Sequence, residues 1–448
     1  MRKIYISGLF LILVLSALPF ACIFVRTNIH TNQKMGETGV KKFKLENGMT
    51  VLIMENPDSK VVTLDVWVNT GSAMEPKEIN GVSHFLEHML FKGTATRVAG
   101  EVDREIENVG GVWNAATSVE FTHYYLTIAT QFVDTAINTL SDVIANASID
   151  PKEVERERQV ILEEYHRQQD DPDQFLMTEV FWNSFEKSPT RWPVLGVPDT
   201  INSITREKLY HYYTGRYAPS NMVLVVVGGV KAKDILPMIQ EKFGGLQRPL
   251  SVANVSEEKT IRRKGYFAEY KKPVKEAYLV LTFAAPDLST PAEIYAADLL
   301  SYILGEGRSS RLYERVKEKK NLVSNIASSF PTHRNDGIFV IFATFDYAKK
   351  EQVIKAILEE VQNLRNEHVG NDELEKAKRM LTNHFIFSQE STSGRSSEVG
   401  FYYTLTGDTK FEEEYLGKIK SVTAEDIRKA ADSYLVPAGA NIFIVRPE

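Results

Sequence analysis

Cysteine is almost missing from this chain of 448 residues, and its single example, Cys22, lies in an N-terminal apolar run. The body can therefore form no internal disulfide and no thiolate metal site, so any metal must be held by His and carboxylates. Positive charge is not in excess either. Lys and Arg total 53 against 59 Asp and Glu, a net charge of −6, and the basic residues are scattered rather than striped. That balance excludes a nucleic-acid footprint and makes polyanions poor partners. With 43% hydrophobic and 25% charged residues, the composition is not that of a disordered, collagen-like or solenoid chain, and the length suffices for two or three domains with ordinary cores.

Long apolar runs are absent except at the start. Arg2 and Lys3 precede an almost uninterrupted apolar run from Ile4 to Val25, closed by Arg26. Residues 1–25 read as a signal peptide or an N-terminal membrane anchor, and the basic start predicts that the body is exported, periplasmic or extracytoplasmic. Ala21-Cys22 resembles a lipoprotein cleavage site, from which Pro19 and Phe20 depart. Residues 26–40 form a polar tether.

The chemistry concentrates in His84-Phe-Leu-Glu-His-Met-Leu-Phe-Lys-Gly-Thr94. On a helix, His84, Glu87 and His88 (i, i+3, i+4) share one face, while Phe85, Leu86, Met89 and Leu90 cover the others. Two imidazoles one turn apart can bind one Zn²⁺, and a carboxylate between them can take a proton from a metal-bound water. The spacing His-x-x-Glu-His is the inverse of the commoner His-Glu-x-x-His of zinc peptidases. A half-buried helix with two backbone-bonded histidines would carry the same residues, so the rest of the chain must decide.

Lys41–Leu45 and Met49–Glu55 flank Asn47-Gly48, a two-residue hairpin signal. Val62, Leu64, Val66 and Val68 alternate as a half-buried strand, and Asn80 is placed to cap the following helix. A long charged helix starts at Pro151. Ser203–Leu209, leading to the strand Met222–Val226, is echoed by Ser421–Ile427, leading to Asn441–Val445, an offset of about 218 residues (421 − 203). The expected architecture is α+β: two homologous domains, 41–243 and 265–448, joined by a linker 244–264, each a mostly antiparallel twisted sheet with helices on one face. Aligning Gly93 with Gly305 puts Ala296, Leu299 and Leu300 where His84, Glu87 and His88 stand. The second copy keeps the helix and lacks the ligands, which favours a metal site in one half over a shared packing need.

A catalytic zinc takes three protein ligands and keeps one position open. The helix after Pro151 offers Glu153, Glu155, Glu157, Glu163 and Glu164, and spacing alone does not choose among them. The motif at His84–Thr94, followed by Glu157-Arg-Gln-Val-Ile-Leu-Glu-Glu164, resembles the inverzincin peptidases: pitrilysin, insulin-degrading enzyme, and above all the mitochondrial processing peptidase and its bacterial relatives. The resemblance runs from about Val40 to Glu448 and includes the duplication.

It implies one Zn²⁺ per chain held by His84, His88 and Glu164, with Glu163 the rival, Glu157 orienting a ligating His, and Glu87 as general base. It implies that the strand with Asn114 and Ala115 takes an extended peptide by β-addition. It also implies that Arg395 and Tyr402, with Tyr403 the alternative, reach across to substrate and developing oxyanion. A closed chamber of four such domains needs a second chain, in a homodimer whose Arg/Tyr pairs serve the opposite zinc sites, or in a heterodimer. The expected activity is zinc-dependent endopeptidase cleavage of oligopeptides or unstructured segments inside that chamber. The competing reading is a catalytically silent scaffold or assembly subunit; such members lose a ligand or the base, and all four residues are present here.

Overall fold

The computed structural model describes residues 39–251 and 265–448. The apolar run at 4–25 and most of the expected linker lie outside the described residues. Among the described residues, no helix is long and apolar enough to cross a membrane.

The first half runs β1 (Val40–Lys44), β2 (Thr50–Glu55), β3 (Val61–Val68), α1 (Val82–Leu90), α2 (Glu101–Asn108), β4 (Val112–Thr117), β5 (Thr122–Ala129), α3 (Val133–Asn146), α4 (Pro151–Asp170), α5 (Pro172–Ser184), α6 (Pro198–Ser203), α7 (Arg206–Arg216), β6 (Met222–Gly228) and α8 (Ala232–Phe243). The second runs β7 (Tyr266–Lys272), β8 (Ala277–Ala284), α9 (Pro291–Leu304), a π-helical stretch (Tyr313–Lys319), β9 (Asn325–Ser329), β10 (Ile338–Phe345), α10 (Lys350–Asn366), α11 (Asn371–Ser388), α12 (Thr392–Thr406), α13 (Lys410–Ser421), α14 (Ala424–Tyr434) and β11 (Asn441–Pro447).

The duplication is visible in the topology. One sheet has the order β1-β2-β6-β3-β5-β4 and the other β7-β11-β8-β10-β9, so removing β1 leaves two five-stranded sheets of the same order. In each, a single parallel pair (β2 with β6, β7 with β11) sits among antiparallel neighbours. The expected hairpin joins β1 to β2, with Gly48 at φ +91°, a conformation that a residue without Cβ adopts freely.

Each sheet carries its main helical layer on one face. Val62, Leu64, Val66 and Val68 of β3 point into the first core together with Phe85, Leu86, Met89 and Leu90 of α1. The opposite face of β3, expected to meet solvent, is instead buried, with Thr63, Asp65 and Trp67 at most 2% exposed. The reason is a helix from the other half. Val399 of α12 packs with Leu52, Trp67, Val223, Val225 and Val227 of the first sheet. In return, Leu176 and Val180 of α5 pack with Val280, Val340, Phe443 and Val445 of the second sheet. Each half thus lends one helix to the uncovered face of its partner sheet.

Candidate metal centre and active site

Helix α1 is buried nearly all round because it lies between the first sheet and α4 and α7. Asn80 does not cap it. The first helical donors are met by Glu75, whose Oε2 accepts from the Gly81 N–H at 2.6 Å and whose Oε1 accepts from the Ser83 N–H at 2.7 Å; Asn80 donates to that carboxylate from the side. Gly81 takes φ +96° and abuts Gly196, where a Cβ would come within 2.6 Å of the Leu195 carbonyl oxygen.

From this fixed start, α1 presents His84, Glu87 and His88 toward α4. The Pro151 start of α4 is capped by the Asp150 carboxylate, which accepts from the Lys152 and Glu153 N–H groups. Glu157 and Glu164, seven residues and about two turns apart, share one face of α4. Glu164 Oε2 lies 3.8 Å from His84 Nε2 and 3.6 Å from His88 Nε2. These three residues are the group of His, Asp, Glu or Cys whose ligand atoms converge among the described residues, all within 4.8 Å of one another. Metal bonds of about 2.1 Å at tetrahedral angles place ligand atoms about 3.4 Å apart, so the donors stand close to zinc spacing and their chemistry suits zinc. Glu163 is exposed and turned away; Glu155 is exposed and Glu153 bonds Arg156, as a solvated face requires.

Behind the ligands, Glu157 Oε2 meets His88 Nδ1 at 3.0 Å and its Oε1 meets Lys92 Nζ at 2.7 Å. An Nδ1–H held by that carboxylate leaves His88 Nε2 free to coordinate. Burial raises the Glu157 carboxyl, but the hydrogen bonds from His88 and Lys92 outweigh it and hold it below the usual range. For His88, burial favours the neutral ring, yet the bond to Glu157 and the charges of Glu87 and Glu164 prevail and raise its pKa. His84, buried and beside His88, is pushed well down and is neutral. Burial raises the Glu87 carboxyl, partly offset by the Thr117 hydroxyl, which donates to Glu87 Oε2 at 2.6 Å. A carboxyl raised in this way suits proton transfer near neutrality.

Asn114 and Ala115 lie on β4, the terminal strand of its sheet, which bonds β5 on one side only. The Asn114 carboxamide oxygen accepts from the Ala115 N–H at 2.9 Å. Phe91 packs on Trp113 of the same strand at 4.0 Å between ring centroids.

Arg395 and Tyr402 are not brought to the site of their own chain, in keeping with a pair expected to serve the site of a second chain. They lie on α12, across the sheet from α1. Arg395 is 5% exposed, its guanidinium committed to Glu412 and its Nε close to Met54 Sδ. Tyr402 packs its ring against Phe411 and Tyr415. Tyr403, the alternative, sits under Lys42 Nζ at 4.6 Å in the packing between the halves. A seven-residue spacing also puts both residues on one face of α12. Two residues escaped the sequence reading, Lys92 and Thr117. Lys92 follows the end of α1 and meets Glu157 only because α1 packs on α4, and Thr117 reaches Glu87 only through the tertiary fold, so neither left a signal in the sequence.

The insulinase (peptidase family M16) domain matches residues 50–196, and the peptidase M16 inactive domain matches residues 203–381. The chain is 32% identical over 389 residues to an uncharacterized zinc protease of Rickettsia felis, covering 87% of this chain and 93% of that protein. It is 26% identical to the probable mitochondrial-processing peptidase subunit beta of Arabidopsis thaliana, over 90% of this chain and 77% of that protein. Among solved structures, a protease from Helicobacter pylori shares the fold with a TM-score of 0.85 at 24% identity, over 92% of this chain and all (100%) of that one. The two-domain architecture is thus common to them.

Proposed function

We propose, from the premise that this chain belongs to the insulinase (M16) family of zinc peptidases, that it is an active zinc-dependent endopeptidase of oligopeptides and unstructured polypeptide segments. One observation carries the proposal: Glu164 from a distant helix converges with His84 and His88 while Glu87 stands beside them, so a complete donor set and a base occupy one face. His84, His88 and Glu164 would hold the ion. When bound, zinc supplies Lewis acidity, making water acidic and polarising a carbonyl oxygen.

The chain's own residues supply the rest. Glu87 takes the proton of the attacking water on its carboxylate and passes it to the leaving amine. Glu157, held ionised by Lys92, fixes the His88 ring so that the geometry survives the charge changes of turnover. The open edge of β4 takes the substrate backbone as an added strand. A peptide must be extended to dock there, which selects unfolded segments. A second chain would complete a closed chamber, its Arg395 and Tyr402 serving this zinc site, and the basic start before the apolar run favours a body outside the cytoplasm.

Glu87→Gln tests the proposal. The variant should retain zinc, measured by metal analysis, and lose at least about a hundredfold in peptide turnover, the scale of general-base removal. Peptidase activity equal to that of the parent would remove Glu87 from the mechanism, and a parent with no activity when zinc-loaded would favour a silent scaffold.

A further inference from the structure

The base and the substrate strand are not independent. Thr117 is the last residue of β4, three positions beyond Asn114, and its hydroxyl donates to Glu87 Oε2 at 2.6 Å. Thr122, its register partner on β5, spends its own hydroxyl proton on the Thr70 carbonyl at 2.9 Å and does not compete for Glu87. On α1 itself the side chains beside Glu87 are His84 and His88, whose ring nitrogens face Glu164 and Glu157, and among the described residues the hydrogen bond to the Glu87 carboxylate comes from Thr117. The carboxylate therefore takes its orientation from the sheet edge rather than from α1.

We infer that Thr117 is a positioning residue that ties the general base to the strand on which the peptide docks, fixing which carbonyl of a β4-paired substrate meets Glu87. This rests on the proposed peptidase reading and deepens it. A substrate added to β4 advances about 3.3 Å per residue, so the register of strand pairing decides which bond reaches the base. A base anchored to the same strand keeps that register constant, whereas a base anchored only to α1 would move whenever helix and sheet shift. A hydroxyl donating to a carboxylate is a charge-assisted bond, stronger than a neutral one, and leaves the second oxygen free for water.

Thr117→Val, equal in shape and lacking the hydroxyl, and Thr117→Ser, which keeps it, are the test. With a fluorogenic peptide and zinc-loaded full chain, Thr117→Val should lower kcat roughly tenfold to a hundredfold, the range a charge-assisted hydrogen bond commands. KM and zinc content should stay at parental values, the cleavage products of a longer peptide should spread to neighbouring bonds, and Thr117→Ser should restore both rate and cleavage position. Parental kcat and a single cleavage site in Thr117→Val would overturn the inference while leaving the peptidase reading intact. Equal losses in Val and Ser variants, or loss of zinc, would also overturn it by assigning Thr117 a packing role. An inactive zinc-loaded parent would instead strike the peptidase reading, and the inference with it.

Discussion

Glu163 and Glu164 are adjacent carboxylates with different fates. Successive helical residues diverge by about 100°, so only one can face α1, and the fold selects Glu164, 3.6 Å from His88 Nε2. Glu164→Gln should therefore release zinc on dialysis at a chelator concentration that leaves the parent loaded, while Glu163→Gln retains it; metal analysis reads the difference, and the reverse order would transfer the ligand role. Helix geometry made legible only that Glu163 and Glu164 cannot both face α1. Glu164 and Glu157 themselves were legible through the family resemblance carried by the Glu157–Glu164 stretch. Lys92 and Thr117 were not, since one contact depends on the packing of α1 against α4 and the other on the register of β4 with β5. The Arg395 partner within the chain, Glu412, was likewise not legible, because it lies on the neighbouring helix α13.

Helix α1 depends on an element that is not a helix. Glu75 lies 1% exposed on the segment before α1 and supplies the acceptors that a capping side chain would, for donors at Gly81 and Ser83. Burial raises its carboxyl, and the backbone donors at Ser83 and Gly81 oppose that rise. Glu75→Ala would leave two buried backbone donors without acceptors, at a cost of about 1–3 kcal/mol each in part-relaxed surroundings. Urea unfolding should show a loss of that order, with weakened zinc retention because His84 sits within the first turn. Unchanged stability would mean that α1 is anchored by packing alone. Sequence reasoning placed the helix correctly and its cap wrongly, because Asn before a helix is a good local acceptor, whereas a buried Glu five residues earlier can be recognised only once the chain has turned back. The strands fared similarly: alternation located β3, while its second buried face came from a helix more than three hundred residues downstream, whose Ser396 donates to Asp65 and whose Thr392 meets Thr63 at 2.9 Å.

At the scale of the whole molecule, the seam between the halves is closely fitted. A Cβ on Gly400 of α12 would lie 2.1 Å from Trp67 Nε1, and Trp67 is wedged against Phe121 and His123 with no room to turn. Gly400→Ala should destabilise the protein by about 1–3 kcal/mol, the usual cost of overpacking, seen as a lower thermal midpoint with the zinc content of the folded protein unchanged; an undisturbed midpoint would show that α12 docks loosely. Because α5 and α12 are traded between the sheets, neither repeat owns a complete hydrophobic covering. Cutting the polypeptide between 251 and 265 should leave two pieces that insolubly expose a bare sheet when made apart and that reassemble when made together. The second repeat is then no vestige available for deletion, since the repeat that carries His84, His88 and Glu164 borrows part of its roof from it.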